Sequence, residues 1–97
     1  MELFWTPEAT EDRENIYSHI EADNPIAALD LDESFQEKAA LLLGHPNLGR
    51  IGRIAGTREL VMHPNYVLIY DVVGHVVRVL NVVHVARQWP PTREQDA

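Results

Sequence analysis

Hydrophobic positions change their rhythm along this chain: they recur at helical spacing in the first half and in alternating or unbroken runs in the second. Glu2-Leu3-Phe4-Trp5 reads as a short first strand. Thr6-Pro7 then predicts a helix start, with a capping hydroxyl followed by a proline placed where its missing N–H costs least. In that helix Ala9, Ile16, Tyr17 and Ile20 share the apolar side, and Glu8, Glu11 and Asp12 crowd the first turns, where the helix dipole favours carboxylates. Asp23-Asn24-Pro25 ends it and caps a second helix, whose stripe is Ile26, Ala28, Leu31, Phe35, Ala39 and Leu42. Gly44-His45-Pro46 stops the second helix. Beyond it, Arg50 to Ile54, Arg58 to His63, Tyr66 to Val72 and Val76 to Val83 read as strands, with turn chemistry at Pro64-Asn65 and at Val73-Gly74-His75. The expectation is an α+β fold of order β-α-α-β-β-β, with a helical hairpin on one face of a small, mainly antiparallel, twisted sheet.

The 97 residues suit one domain spanning 1–97, and residues 92–97 are polar and read as a flexible tail that frays. Apolar residues make up 45% and charged residues 24%, as in ordinary globular proteins. The absence of cysteine excludes a disulfide framework, a zinc–thiolate site and a thiol nucleophile, and fits a reducing cytoplasm. No apolar run approaches the roughly 20 residues that span a bilayer, so no membrane association is expected. The net charge of −7 is unevenly placed: residues 1–47 carry −9 and residues 48–97 carry +2. An acidic chain is repelled by nucleic acid at long range, yet its arginine-bearing half can engage phosphate or an acidic partner locally.

Candidate chemistry gathers at the ends of the β-patterned runs. Arg58 and Glu59 are adjacent in a strand and point to opposite faces. Arg58 is either a functional cation or half of a structural ion pair. His84 is a candidate acid or base, against the alternative of a strand-end histidine bonded to backbone. Tyr66, Leu68 and Tyr70 share one face of their strand, with Val67 and Ile69 on the other. Arg87 is suited to bidentate contact with carboxylate or phosphate, and Trp89 to anchoring the C-terminal segment or meeting a partner. The five histidines, His19, His45, His63, His75 and His84, show no metal-ligand spacing, so neither a metal nor a cofactor is expected. Gly49, Gly52 and Gly56 are not followed by a helix, which argues against a phosphate-cradling loop.

The hairpin broken at Asn24-Pro25, the Pro46-to-Gly49 loop, Gly56-Thr57-Arg58-Glu59-Leu60, Tyr66-Val67-Leu68-Ile69-Tyr70 and the terminal His84 to Trp89-Pro90 together resemble the RelE/ParE superfamily of toxins, most closely in pattern its ParE branch. The resemblance covers nearly the whole chain. It implies the toxin of a type II toxin–antitoxin pair, neutralised by a cognate antitoxin and reaching operator DNA only through that antitoxin.

Two activities occur in the superfamily. RelE-like members cleave messenger RNA on the ribosome, which requires activation of a 2′-OH, charge stabilisation on the phosphorane and protonation of the leaving oxygen. ParE-like members bind and poison DNA gyrase, which calls for a recognition surface and no acid–base constellation. Many nuclease members place an arginine at the second position of the aromatic-x-Leu-[Ile/Val]-Tyr strand, and this chain has Val67 there. A histidine-using branch that resembles YafQ lacks that arginine too, and His84 and His63 fall near its histidine positions. Lys38 is the only lysine, which disfavours tracking RNA phosphates. The expected function is therefore gyrase inhibition, with Arg58, His63, Tyr66, Arg87 and Trp89 as target-binding candidates. The alternatives are a ribosome-dependent mRNA endoribonuclease using His84 with Arg58 or Arg87, and a detoxified homologue that keeps only antitoxin binding.

Overall fold

The structure, a computed structural model, describes residues 1–86. Arg87, Trp89 and the tail at 92–97 lie outside them. The elements are β1 (Glu2–Trp5), α1 (Pro7–Glu21), α2 (Pro25–Leu41), β2 (Arg50–Ile51), β3 (Arg58–His63), β4 (Tyr66–Val73) and β5 (Val76–His84). The sheet order is β1-β5-β4-β3-β2, antiparallel except where β1 lies parallel to β5. The α+β architecture is as the residue pattern predicts.

Both helix starts follow from local chemistry. Thr6 Oγ1 accepts from the Ala9 N–H at 3.1 Å, and Asn24 Oδ1 accepts from the Ala27 N–H at 3.0 Å, each just ahead of a proline. The helices bury Ala9, Phe35, Ala39 and Leu42 against Met62, Tyr66, Leu68, Tyr70, Val77, Val79 and Val82 of the sheet. Each large side chain buried here contributes roughly 1.5–3 kcal/mol by removal from water. Ile26 departs from the expected stripe: next to the capped helix start it is 73% exposed, outside the layer that Phe35 and Leu42 enter.

Side-chain bonds lock α1 to its neighbours. Asp12 accepts from the Val82 N–H at 2.9 Å and from Asn81 Nδ2 at 3.1 Å, at the point where β5 carries an additional residue opposite Ile69 and Tyr70. Arg13 grips Asp32 of α2 bidentately, at 3.0 and 2.9 Å, while its guanidinium lies 4.5 Å over the Trp5 ring. The hydrogen bond from Arg13 holds the Asp32 carboxyl below its ordinary range against the opposing effect of burial, with Gln36 adding a further bond.

The run expected as a strand from Arg50 to Ile54 pairs only at Arg50 and Ile51. The chain then turns back, with Gly52 N–H bonded to Thr57 O and Thr57 N–H to Ile54 O, so the ladder cannot continue. Among the described residues no helix is long and apolar enough to cross a membrane.

Candidate functional site

Strand β4 organises two groups of polar side chains, one near each end. Its backbone register places Arg58 opposite Tyr70 and His84 opposite Tyr66. Tyr66 and Tyr70 are four residues apart, which corresponds to roughly 13 Å along a strand. Arg58 and His84 therefore belong to different ends of the sheet.

At the Tyr70 end the tyrosine hydroxyl and Arg58 Nη1 are engaged by backbone. The fully buried Tyr70 hydroxyl donates to Pro46 O at 2.8 Å and accepts from the Gly49 N–H at 2.9 Å. Arg58 Nη1 donates to Gly49 O at 2.7 Å and more weakly to Asn47 O at 3.4 Å. Arg58 thus makes no ion pair with the acidic helices; through Nη1 it pins the 46–49 loop while its side chain stays half-buried. A Cβ at Gly49 would stand 2.8 Å from both Glu59 O and the Tyr70 ring, so this close approach of chain to sheet requires glycine.

Glu59 projects to the face opposite Arg58, as adjacency in the strand requires. It is 3% exposed, yet fully served: Oε1 accepts from Arg50 Nε and Nη2 at 3.2 and 3.0 Å, and Oε2 from the Arg53 N–H at 3.1 Å, with Arg53 Nε 3.9 Å away. Burial alone would raise the Glu59 carboxyl, but the hydrogen bonds from Arg53 and Arg50 and their two charges outweigh it and hold it below the usual carboxylate range. Sequence reasoning does not single out this hub. The only hint is Arg50 and Arg53 flanking Gly52 ahead of Glu59, and nothing local tells which acid they meet.

At the Tyr66 end the structure brings His63, Tyr66 and His84 together. The ring of Tyr66 sits 5.9 Å from that of His63 and 5.1 Å, edge to face, from that of His84, with Phe35 at 5.6 Å beneath it. Tyr66 itself is 8% exposed and belongs to the core. Both imidazoles accept backbone bonds at Nδ1, His63 from the Asn65 N–H and His84 from the Ala86 N–H, each at 3.0 Å. That bonding assigns the neutral ring proton to Nε2, leaving an N–H donor and no free base nitrogen. Beside this trio a cleft of about 400 Å³ opens between α1 and β5, lined by Asp12, Asn15, His19, Tyr66, Val82 and His84. Asp12 and His19 come from α1, which sequence spacing alone does not connect to His84.

Val67, the residue standing where nuclease members carry arginine, is 6% exposed and faces away from the helices beside Ile69 and Val83. Among the described residues no group of three or more His, Asp or Glu side chains is placed to hold a metal ion.

Residues 3–89 match the family described as the ParE toxin of the type II toxin–antitoxin system parDE. Toxin RelE2 of Caulobacter vibrioides is 33% identical over 86 residues, which are 89% of this chain and 97% of the relative. Y4kP of Sinorhizobium fredii is 35% identical over 86 residues, covering 89% and 90% respectively. Among solved structures, a chain of the chromosomal ParDE system of P. aeruginosa superposes with a TM-score of 0.81 at 26% identity, over 87% of this chain and 95% of that one. YafQ of E. coli shares the fold at a TM-score of 0.61 and 13% identity, over 88% of this chain and 93% of that one.

Proposed function

The chain belongs to the ParE toxin family of type II toxin–antitoxin systems, and we propose that it arrests growth by binding and inhibiting DNA gyrase in the cytoplasm. The family implies a cognate antitoxin as partner. The observation that carries the gyrase reading is the separation of Arg58 from His84 at opposite ends of β4. In-line attack on a phosphodiester requires the charge-stabilising cation and the proton-transfer group to converge on one phosphate, within hydrogen-bond reach of its oxygens. The strand span of roughly 13 Å between their partners on β4, with Arg58 held on Gly49 O, sets this pair apart, while Arg87, the other cation considered, lies outside the described residues. The engagement of Arg58 by two carbonyls and the N–H presented by His84 Nε2 support the same reading.

In this reading Arg58 and Tyr66 act through what they hold, the 46–49 loop and the histidine rings, while His63 contributes an exposed imidazole edge to recognition. Arg87 and Trp89, the other target-binding candidates, lie outside the described residues.

One observation favours the nuclease alternative: His84 and Tyr66 line an open cleft together with His19, the arrangement a histidine-using RNase on the ribosome would need, and His63 packs against Tyr66. The two readings separate in one experiment. Toxin freed from its antitoxin is added to purified gyrase with relaxed plasmid and, in parallel, to a translating extract whose message ends are mapped. Gyrase inhibition is expected, with message ends unchanged. New ends within the reading frame, with supercoiling unaffected, would transfer the function to the nuclease.

A further inference from the structure

We propose that the sheet edge formed by residues 48–54 is a docking surface for the toxin's growth-arresting target, additional to the His63 edge, and that the target presents there an acidic protein surface with aliphatic side chains. This rests on the reading of the chain as an active toxin, and it does not depend on gyrase being the target.

Strand β2 is the last in the sheet order, with β3 as its neighbour. Ile51 is 80% exposed, and Leu48 and Ile54 on either side are 48% and 38% exposed. Ile51 stands on this two-residue edge strand and Leu48 and Ile54 in the segments that flank it, and exposed aliphatics at a sheet edge mark an interaction surface. Arg50 and Arg53 are interleaved with them, their side chains 56% and 61% exposed while they grip Glu59. The backbone register sends Arg50 to the Glu59 face and Ile51 to the Arg58 face, so a partner meeting both must run along the edge, with an acid toward Arg50 and an aliphatic group toward Ile51.

Charge selects the partner. Residues 6–43 carry ten acidic side chains and two basic ones, which repel an acidic surface from the hairpin, whereas two arginines and the single Glu59 occupy the edge. The exposed aliphatics, and guanidiniums already sharing a carboxylate, suit protein better than a phosphate backbone. The edge is also preorganised. The Tyr70 hydroxyl, Arg58 and the Gly49 approach fix its entry, and the Arg53 N–H on Glu59 and the Gly52 N–H on Thr57 fix its exit. A surface held rigid before encounter loses less conformational freedom on binding, and a folded target needs such a surface more than a partner able to mould itself does.

The test compares wild type, Ile51→Ala, Ile51→Glu and Ile51→Lys, each co-purified with the antitoxin, for antitoxin affinity, thermal unfolding and growth arrest after induction of toxin alone. Ile51→Glu is expected to restore colony formation by at least about tenfold, the effect of losing a central contact. Ile51→Lys should arrest growth more strongly than Ile51→Glu, with antitoxin affinity and unfolding midpoint unchanged in both. Ile51→Ala, which adds no charge and removes no buried group, should fall between wild type and Ile51→Glu. Arrest by Ile51→Glu equal to wild type overturns the docking edge, and so does a parallel loss of antitoxin affinity. Ile51→Glu outperforming Ile51→Lys overturns the acidic partner, and retardation of RNA by the wild type that Ile51→Glu abolishes reassigns the edge to nucleic acid. A wild-type chain that arrests no growth defeats the toxin reading itself, a result distinct from all of these.

Discussion

The two ends of β4 carry similar residue types and do different work. Near Tyr70 a tyrosine hydroxyl and the Nη1 of an arginine close onto the backbone of the 46–49 loop. Near Tyr66 the tyrosine and His84 line an open cleft with His63 packed against the tyrosine ring, and the Nε2 edge of His84 is left for a ligand. Arginine, histidine and tyrosine do not make a site by being present on neighbouring strands. What decides is whether the chain has already used their hydrogen-bonding atoms.

If the Tyr70 end is structural, its disruption should cost stability first. Gly49→Ala forces a Cβ against the Glu59 carbonyl and the Tyr70 ring, and neither can retreat without opening the sheet. A loss of about 3 kcal/mol in urea unfolding is expected. Tyr70→Phe keeps the ring and removes the hydroxyl that serves Gly49 N–H and Pro46 O, for an expected loss of about 2 kcal/mol. A Tyr70→Phe protein as stable as wild type, yet unable to arrest growth, would turn this end from scaffold into contact surface.

Much of this division was hidden in the sequence for a physical reason. Helix starts are local: Thr6-Pro7 and Asn24-Pro25 contain the acceptor and the preset φ angle, so both are readable. Alternation in Tyr66 to Tyr70 fixes which residues share a face. It does not say which face the helices cover, and the structure puts Tyr66, Leu68 and Tyr70 there. The partner of Arg58 depends on where a loop nine residues earlier returns to the sheet. No pattern around Arg58 encodes that return. The gathering of Asp12 and His19 with His84 likewise follows from packing α1 on β5. Ile26 misleads in the other direction, since its spacing fits the stripe while its place at the helix start leaves it in solvent.

The Glu59 hub sharpens the comparison by a smaller amount and through pH. An unfolded glutamate titrates near 4.5, and folded Glu59 titrates lower, because its bonds from Arg50 and Arg53 exceed the effect of burial. Between those values the unfolded chain holds a proton that the folded chain lacks, so acid favours unfolding. The stabilisation is complete above the unfolded value and is lost as pH falls through the folded one. Asp32, lowered from 3.8, acts in the same sense. Glu59→Gln should flatten the acid limb of a stability–pH curve and lower neutral-pH stability by about 1 kcal/mol, a modest figure because both arginines are well exposed to solvent. An unchanged acid limb would mean that the charge on Glu59 contributes nothing to the fold.

The smallest structural effect is expected at the other end, where it decides most about mechanism. His84→Ala removes an edge-to-face contact with Tyr66 and an acceptor for the exposed Ala86 N–H, which water can replace. About 0.5–1 kcal/mol of stability should go with it. Growth arrest should change less than threefold if the toxin works by binding, since one imidazole edge is one contact among many. A proton-transfer role would show instead as a loss of about two to four orders of magnitude in message cleavage, on a protein folded as before. The ratio of lost activity to lost stability therefore distinguishes the ends of β4: near unity where the strand holds its own loop, and very large if the Tyr66 end performs chemistry.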